Sequence, residues 1–154
     1  MRDAAKILGT VILVLGSFCP AGFAGGPVGT TDKKLLADAI TTHIEILKTG
    51  KAQQRAAAAY WLGQQHSAAA VAVEQLVELL GDLNEINPAQ YRSKRVLQKM
   101  TLGEEVAAAL VKIGHPSIDP LIRVLKTSPD AVARKNAAWA LGAMHDIGAN
   151  SSQI

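Results

Sequence analysis

Three of the four histidines fall at corresponding places in a repeated pattern. His66 and His145 each lie four residues beyond a leucine (Leu62 and Leu141), and His115 lies five beyond Leu110. Imidazoles at a common register are the residue type of a transition-metal edge. The geometry of stacked helices opposes it. Neighbouring helices stand about 8–10 Å apart, whereas ligands converge on one ion at about 2 Å. The expectation is three solvated histidines in turns, with no metal and no cofactor.

A second group is cationic. Arg92, Lys94, Arg95 and Lys99 follow one another closely, with Tyr91 beside them. On a helix Arg92, Arg95 and Lys99 fall at i, i+3 and i+7 and share a face. Lys112, Arg123 and Lys126 are candidates to extend that face. Such a patch suits an anionic partner, and the plainer reading is a solvated surface. Tyr60 and Trp139 each stand two residues before a repeated leucine, and Trp61 stands one before. That register turns Trp61 inward and leaves Tyr60 and Trp139 as amphipathic surface anchors for a partner. Arg55 and Arg134 each open a helix, and Asp130 precedes Arg134 by four residues. They read as structural, bridging successive repeats by charged hydrogen bonds.

None of this makes a catalytic constellation. The chain has no Gly-rich phosphate loop, no H-E-x-x-H and no G-x-S-x-G. The expectation is a protein that is not an enzyme.

The elements that carry these residues are helices. The chain has 154 residues and a 49% hydrophobic composition with only six aromatic side chains. Alanine and leucine dominate, which favours helix over strand. An Ala-rich pattern occurs three times: Arg55–Gly63, Glu105–Leu110 and Arg134–Gly142. Leu110 and Leu141 are 31 residues apart. Leu62 and Leu110 are 48 apart, and the excess of 17 matches an irregular stretch after Gly81. Repetition of this kind marks stacked helix pairs.

In chain order, a helix over 32–48 carries Leu35, Leu36, Ala39, Ile40, Ile44 and Leu47 on one stripe. Helices at about 52–65 and 68–80 form the next pair. An insertion at 83–100 begins with Asn87 as cap and Pro88 in the first turn, and reads as a basic helix. Thr101 and Glu104 form a capping box for a helix over 102–113. Its partner spans 117–126, and the last helix spans about 131–145. Residues 148–154 read as a frayed tail.

The first 24 residues differ in kind. Arg2 and Lys6 precede an apolar run from Ile7 to Phe18, and small residues follow, with Gly22 and Ala24 suited to a cleavage site. This is the pattern of a secretory signal peptide cut after Ala24. The run is shorter than the ~20 residues of a membrane span. Cys19 offers a lipid-anchor alternative, which the bulky Phe18 before it opposes. Cleavage removes Arg2, Lys6 and Asp3 and takes the formal charge from +3 to +2. It also removes the single cysteine, leaving no disulfide. Residues 25–30 are a Gly/Pro linker and 31–147 the repeat domain.

Here the chain resembles the HEAT-repeat proteins, and among them the short HEAT-like repeats first associated with bilin lyases. The residues that carry the likeness are Arg134 with Leu141-Gly142, Pro116, and Pro120-Leu121-Ile122-Arg-Val-Leu125. It covers roughly residues 32–146 and is strongest over 104–146. Gly103 departs from it, standing where the other copies have Arg. The resemblance implies an all-α, armadillo-like superhelix, a short α-solenoid of about three helix pairs. It carries over no lyase activity.

The expected function is a protein-binding scaffold or adaptor, exported to the periplasm or secreted. Its candidate contacts are Tyr60, Trp139, Tyr91, Arg92, Arg95, Lys99, Arg123 and Lys126. The alternatives are an anionic envelope polymer or membrane surface held by the insertion, an accessory role in an enzyme complex, and self-association through the last helix. A charge of +3 is too slight to argue for nucleic acid.

Overall fold

Helix propensity and the spacing of alanine and leucine produce an all-α chain. A computed structural model describes the backbone of residues 30–92 and 99–151, and the side chains of 32–92 and 99–145. Six α-helices occur among them: α1 (Thr30–Thr49), α2 (Ala52–Gln64), α3 (Val73–Val77), α4 (Leu102–Ile113), α5 (Ile118–Thr127) and α6 (Ala131–Ser151). Two short strands, β1 (Glu85–Ile86) and β2 (Met100–Thr101), pair antiparallel and close the insertion, with Glu85 opposite Thr101 and Ile86 opposite Met100. No helix among the described residues is long and apolar enough to cross a membrane. The signal-peptide and linker readings, Cys19 and Arg95 lie outside the described residues.

Residues 34–154 form one compact unit. Within it α4 lies between α2 and α6, while α3 packs on α4 and α5, and α5 packs on α6. The core is built from Leu47, Leu62, Leu76, Leu80, Leu102, Leu110 and Leu121, with alanines filling the seams. Small residues set the closest approach. A Cβ on Gly63 would stand 3.0 Å from the Ala109 Cα, so α2 and α4 touch backbone to backbone there. On α1, Ile40 and Leu47 are buried and Leu36 and Ile44 pack beside them, but Leu35 is exposed. The expected stripe is therefore narrower by one residue.

Three expectations need correction. The partner of α2 is not one regular helix over 68–80. Residues 66–72 wind as a 3-10 helix with a kink at Ala69, and only Val73–Val77 is α-helical. The change follows His66, whose φ of 50° lies in the left-handed region and turns the chain sharply out of α2. The small Ala69 and Ala72 then bury in the tight winding.

The insertion does not open as a helix. Asn87 does cap Pro88, accepting the Ala89 N–H at 3.1 Å, but the result is a single 3-10 turn, Pro88–Gln90. Gln53 grips the Asn87 backbone on both sides, donating to its carbonyl at 2.8 Å and accepting its N–H at 2.9 Å. Tyr91 leaves helical geometry at φ −135°. Arg92 and Lys99 themselves are not helical, and residues 93–98 between them lie outside the described residues. The third difference lies at the other end, where α6 continues beyond His145 to Ser151, through part of the expected tail.

The capping box is as expected. Thr101 Oγ1 accepts the Glu104 N–H, and Glu104 accepts the Thr101 N–H at 2.9 Å. Gly103 finds its reason beside it. A Cβ there would stand 2.4 Å from the Leu80 carbonyl oxygen, so the insertion's entry leaves no room for the arginine of the other copies.

Candidate binding groove between α4 and α6

Two polar residues on the packed faces of α4 and α6 are buried. Glu105 on α4 is 1% exposed and Asn136 on α6 is 3% exposed. Sequence reasoning passed over both. The signal was present: they are 31 residues apart, the same place in successive copies. Both reach the same stretch of chain, the connection between α3 and α4. Asn136 Nδ2 donates to the Leu80 carbonyl at 2.8 Å. Glu105 accepts from the Tyr91 hydroxyl at 3.0 Å and pairs with the Arg92 guanidinium.

This arrangement decides the fate of Arg92. Arg92 pairs with a buried carboxylate, and its Cζ lies 5.2 Å from the Tyr60 ring centroid. Lys112 Nζ lies 4.9 Å from the same ring, and Tyr91 packs on it at 5.5 Å. Tyr60, Tyr91 and Arg92 thus form one internal cluster that ties α2, α4 and the insertion together. Burial pushes the Tyr91 phenol well above the ordinary tyrosine value, and the neighbouring Glu105 charge adds to the rise. Of the candidate partner contacts, Tyr60, Tyr91 and Arg92 are half-buried and engage one another within the chain.

The remaining candidates separate. Arg123 on α5 pairs with Glu74 on α3, both exposed, and Lys126 is exposed at the end of α5. Lys99 reaches Glu85 at 3.4 Å across the short β ladder, again between exposed side chains. Trp61 packs against the core and stacks on His43, with ring centroids 4.0 Å apart and planes 8° from parallel.

The expected charged ladder takes another form. Arg55 donates to the Lys48 carbonyl at 3.1 Å, and Arg134 donates to the Ser128 and Pro129 carbonyls at 2.8 and 2.9 Å. Each arginine closes the turn before its own helix. Asp130 accepts the Val132 N–H at 2.8 Å, and its carboxylate stands where a Cβ on Gly81 would be. Among the histidines, His66 places Nδ1 3.0 Å from the Lys112 carbonyl, while His115 and His145 are exposed. No group of His, Cys, Asp or Glu among the described residues is gathered as a metal site.

Trp139 keeps the exposure its register suggests, at 55%. It borders a groove of about 410 Å³ formed with Lys99, Met100, Glu104, Ala107, Ala108, Lys135 and Asn136. Repeat register explains the hollow. Ala108 occupies on α4 the place that Trp139 occupies on α6, so a methyl group faces an indole across the seam. Two expected contacts, Trp139 and Lys99, are brought together here. Lys135 is added by the fold, and its exposed place beside buried Asn136 gave no separate signal.

Residues 54–82 match the family model of the PBS lyase HEAT-like repeat, so the chain carries a HEAT-like repeat over α2, the 3-10 segment and α3. The match falls on the first copy of the repeated pattern, whereas the resemblance read from the residues is strongest over 104–146. Neither the curated proteins nor the solved structures offer a match.

Proposed function

We propose that the protein is a non-catalytic binding scaffold, a short α-solenoid that presents the α4–α6 groove to another protein. The observation that carries this reading is the contrast between two aromatic sites. Tyr60 is covered by Tyr91, Arg92 and Lys112, whereas Trp139 stands exposed over an unfilled hollow. Large amphipathic side chains at the edge of a concavity are the residue type that dominates protein interfaces. Export to the envelope, with cleavage after Ala24, belongs to the same proposal and rests on the N-terminal pattern alone.

The rival reading, in which the insertion holds an anionic polymer or lipid headgroup, is weakened by the pairing of Arg92 with Glu105. The full-length chain, expressed in its own cells with a photo-cross-linking residue at Ala138, tests the scaffold. A discrete protein adduct that disappears with Trp139→Ala supports it. No adduct, or the same adducts from a probe at exposed Val71, counts against it. N-terminal sequencing of the fractionated protein tests export: a chain beginning at Gly25 supports it, and an intact Met1 start in the cytosol overturns it.

A further inference from the structure

The hydrogen-bonding groups around the groove are unequally committed. Its one carboxylate is partly committed: a single oxygen of Glu104 takes the Thr101 N–H in the capping box. Its amide donor is used as well, since Asn136 Nδ2 is held by the Leu80 carbonyl. Among the charged groups that line the groove, the two ammonium groups outnumber the one carboxylate. Lys135 is exposed and has no carboxylate partner among the described residues. Lys99 has only Glu85, at 3.4 Å between side chains 84% and 72% exposed. Exposed pairs of that kind contribute little and exchange readily. An indole contributes a donor and no acceptor. A ligand that brings acceptors and negative charge suits the two ammonium groups best.

The floor adds a second requirement. Met100, Ala107, Ala108 and the Trp139 ring are apolar, and the volume of about 410 Å³ is within the usual range of about 300–1,000 Å³ for a ligand pocket. A sugar polyanion brings only hydroxyl-flanked C–H faces to that floor, a poorer match than a hydrocarbon side chain. A flat membrane surface does not enter a hollow between two helices. A peptide supplies both parts, carboxylates for the lysines and an apolar side chain for the indole and alanines.

We infer that the α4–α6 groove recognises an acidic segment of a partner protein, with an aromatic or aliphatic side chain seated beside Trp139 and carboxylates on Lys99 and Lys135. This rests on the groove being the binding surface.

The test uses the full-length chain and a set of short fluorescent peptides read by anisotropy. Each peptide carries one central Phe, Leu or Gly, flanked by increasing numbers of carboxylates or, in matched controls, of lysines. The expected result is affinity that rises with the number of carboxylates and falls when Gly replaces the central residue. Lys99→Glu with Lys135→Glu weakens the acidic peptides by about tenfold or more and favours the lysine controls. Both lysines are exposed, and circular dichroism confirms that the variant keeps its helices.

Binding that needs Trp139 but ignores peptide charge overturns the inference and leaves the binding surface standing. Capture of phosphatidylglycerol vesicles that persists in Trp139→Ala, with no peptide bound, overturns it in favour of a lipid. Absence of peptide binding overturns it alone if the Ala138 probe still yields its adduct, and together with the proposed function if it does not.

Discussion

Glu105 and Asn136 occupy the same position in successive copies of the repeat, and both turn a buried polar group onto the connection between α3 and α4. One accepts and the other donates, because they meet different parts of that connection. Its later part offers Glu105 the Tyr91 hydroxyl and the Arg92 guanidinium, whereas its start offers Asn136 the bare carbonyl of Leu80. A single register position thus does the same mechanical work with opposite chemistry. The first copy has Ala57 there and no such link.

Replacing Asn136 by alanine should destabilise the protein by about 2 kcal/mol, because the Leu80 carbonyl loses its donor. The neighbouring Lys135→Ala, at an exposed site, should stay within about 0.5 kcal/mol. Urea denaturation followed by circular dichroism gives both values. Equal effects at the two positions would remove Asn136 from its structural role.

Arg92→Leu should cost about 3 kcal/mol, since it strands a carboxylate that is almost wholly buried. Adding Glu105→Leu should recover part of that loss, as the charge left behind is removed. A double-mutant cycle by chemical denaturation measures the coupling, and additive losses would mean that the pair does not interact.

Stability should decline in alkali through Tyr91. Its folded-state pKa is raised, so above the ordinary tyrosine value of about 10 the unfolded chain releases a proton that the folded chain retains. The folded state then binds more protons than the unfolded one, and stability falls as pH rises further. Denaturation midpoints measured on either side of that value should show a steeper loss for the parent than for Tyr91→Phe. Parallel curves would contradict the buried phenol.

Gly103→Arg restores the residue found at this place in the other two copies, and it should nevertheless be among the most damaging changes. Even a Cβ would stand 2.4 Å from the Leu80 carbonyl and 2.9 Å from Asn136 Nδ2. A loss of about 3 kcal/mol or more is expected from overpacking, seen as a lowered midpoint or failure to accumulate as soluble protein. A neutral result would mean that the insertion's entry is free to move away.

The two tryptophans should behave oppositely. Trp61→Ala removes a ring packed on the core and stacked on His43 and should cost about 2–3 kcal/mol. Trp139→Ala should change the thermal midpoint little and act on binding instead, because the indole is more than half exposed.

Periodicity made the helices legible. α1, α2, α4 and α5 lie within two residues of the bounds their leucine and alanine spacing suggests, and the Thr101–Glu104 cap was readable residue by residue. The insertion was not legible. Its residues have helical spacing on paper, but a side chain 34 positions away, Gln53, holds the backbone of Asn87 in place. Local propensity carries no information about such a partner. The engagement of Arg92 was illegible for the same reason: it answers to Glu105, whose burial follows from the packing of α4. Trp139 was readable because its register alone determines its exposure, whereas the hollow beside it needs two helices at once.

The Leu80 carbonyl has a bearing on how the chain comes into being. Its donor lies 56 residues further along. In a polypeptide made from its N-terminus, that oxygen is emplaced long before Asn136 exists, and water must serve it meanwhile. The first two helix pairs can collapse on the way out of the ribosome, but the junction between them is sealed only when the last helix arrives. α6 is thus the closing stroke of synthesis, and a chain interrupted before it would keep an open seam at the middle.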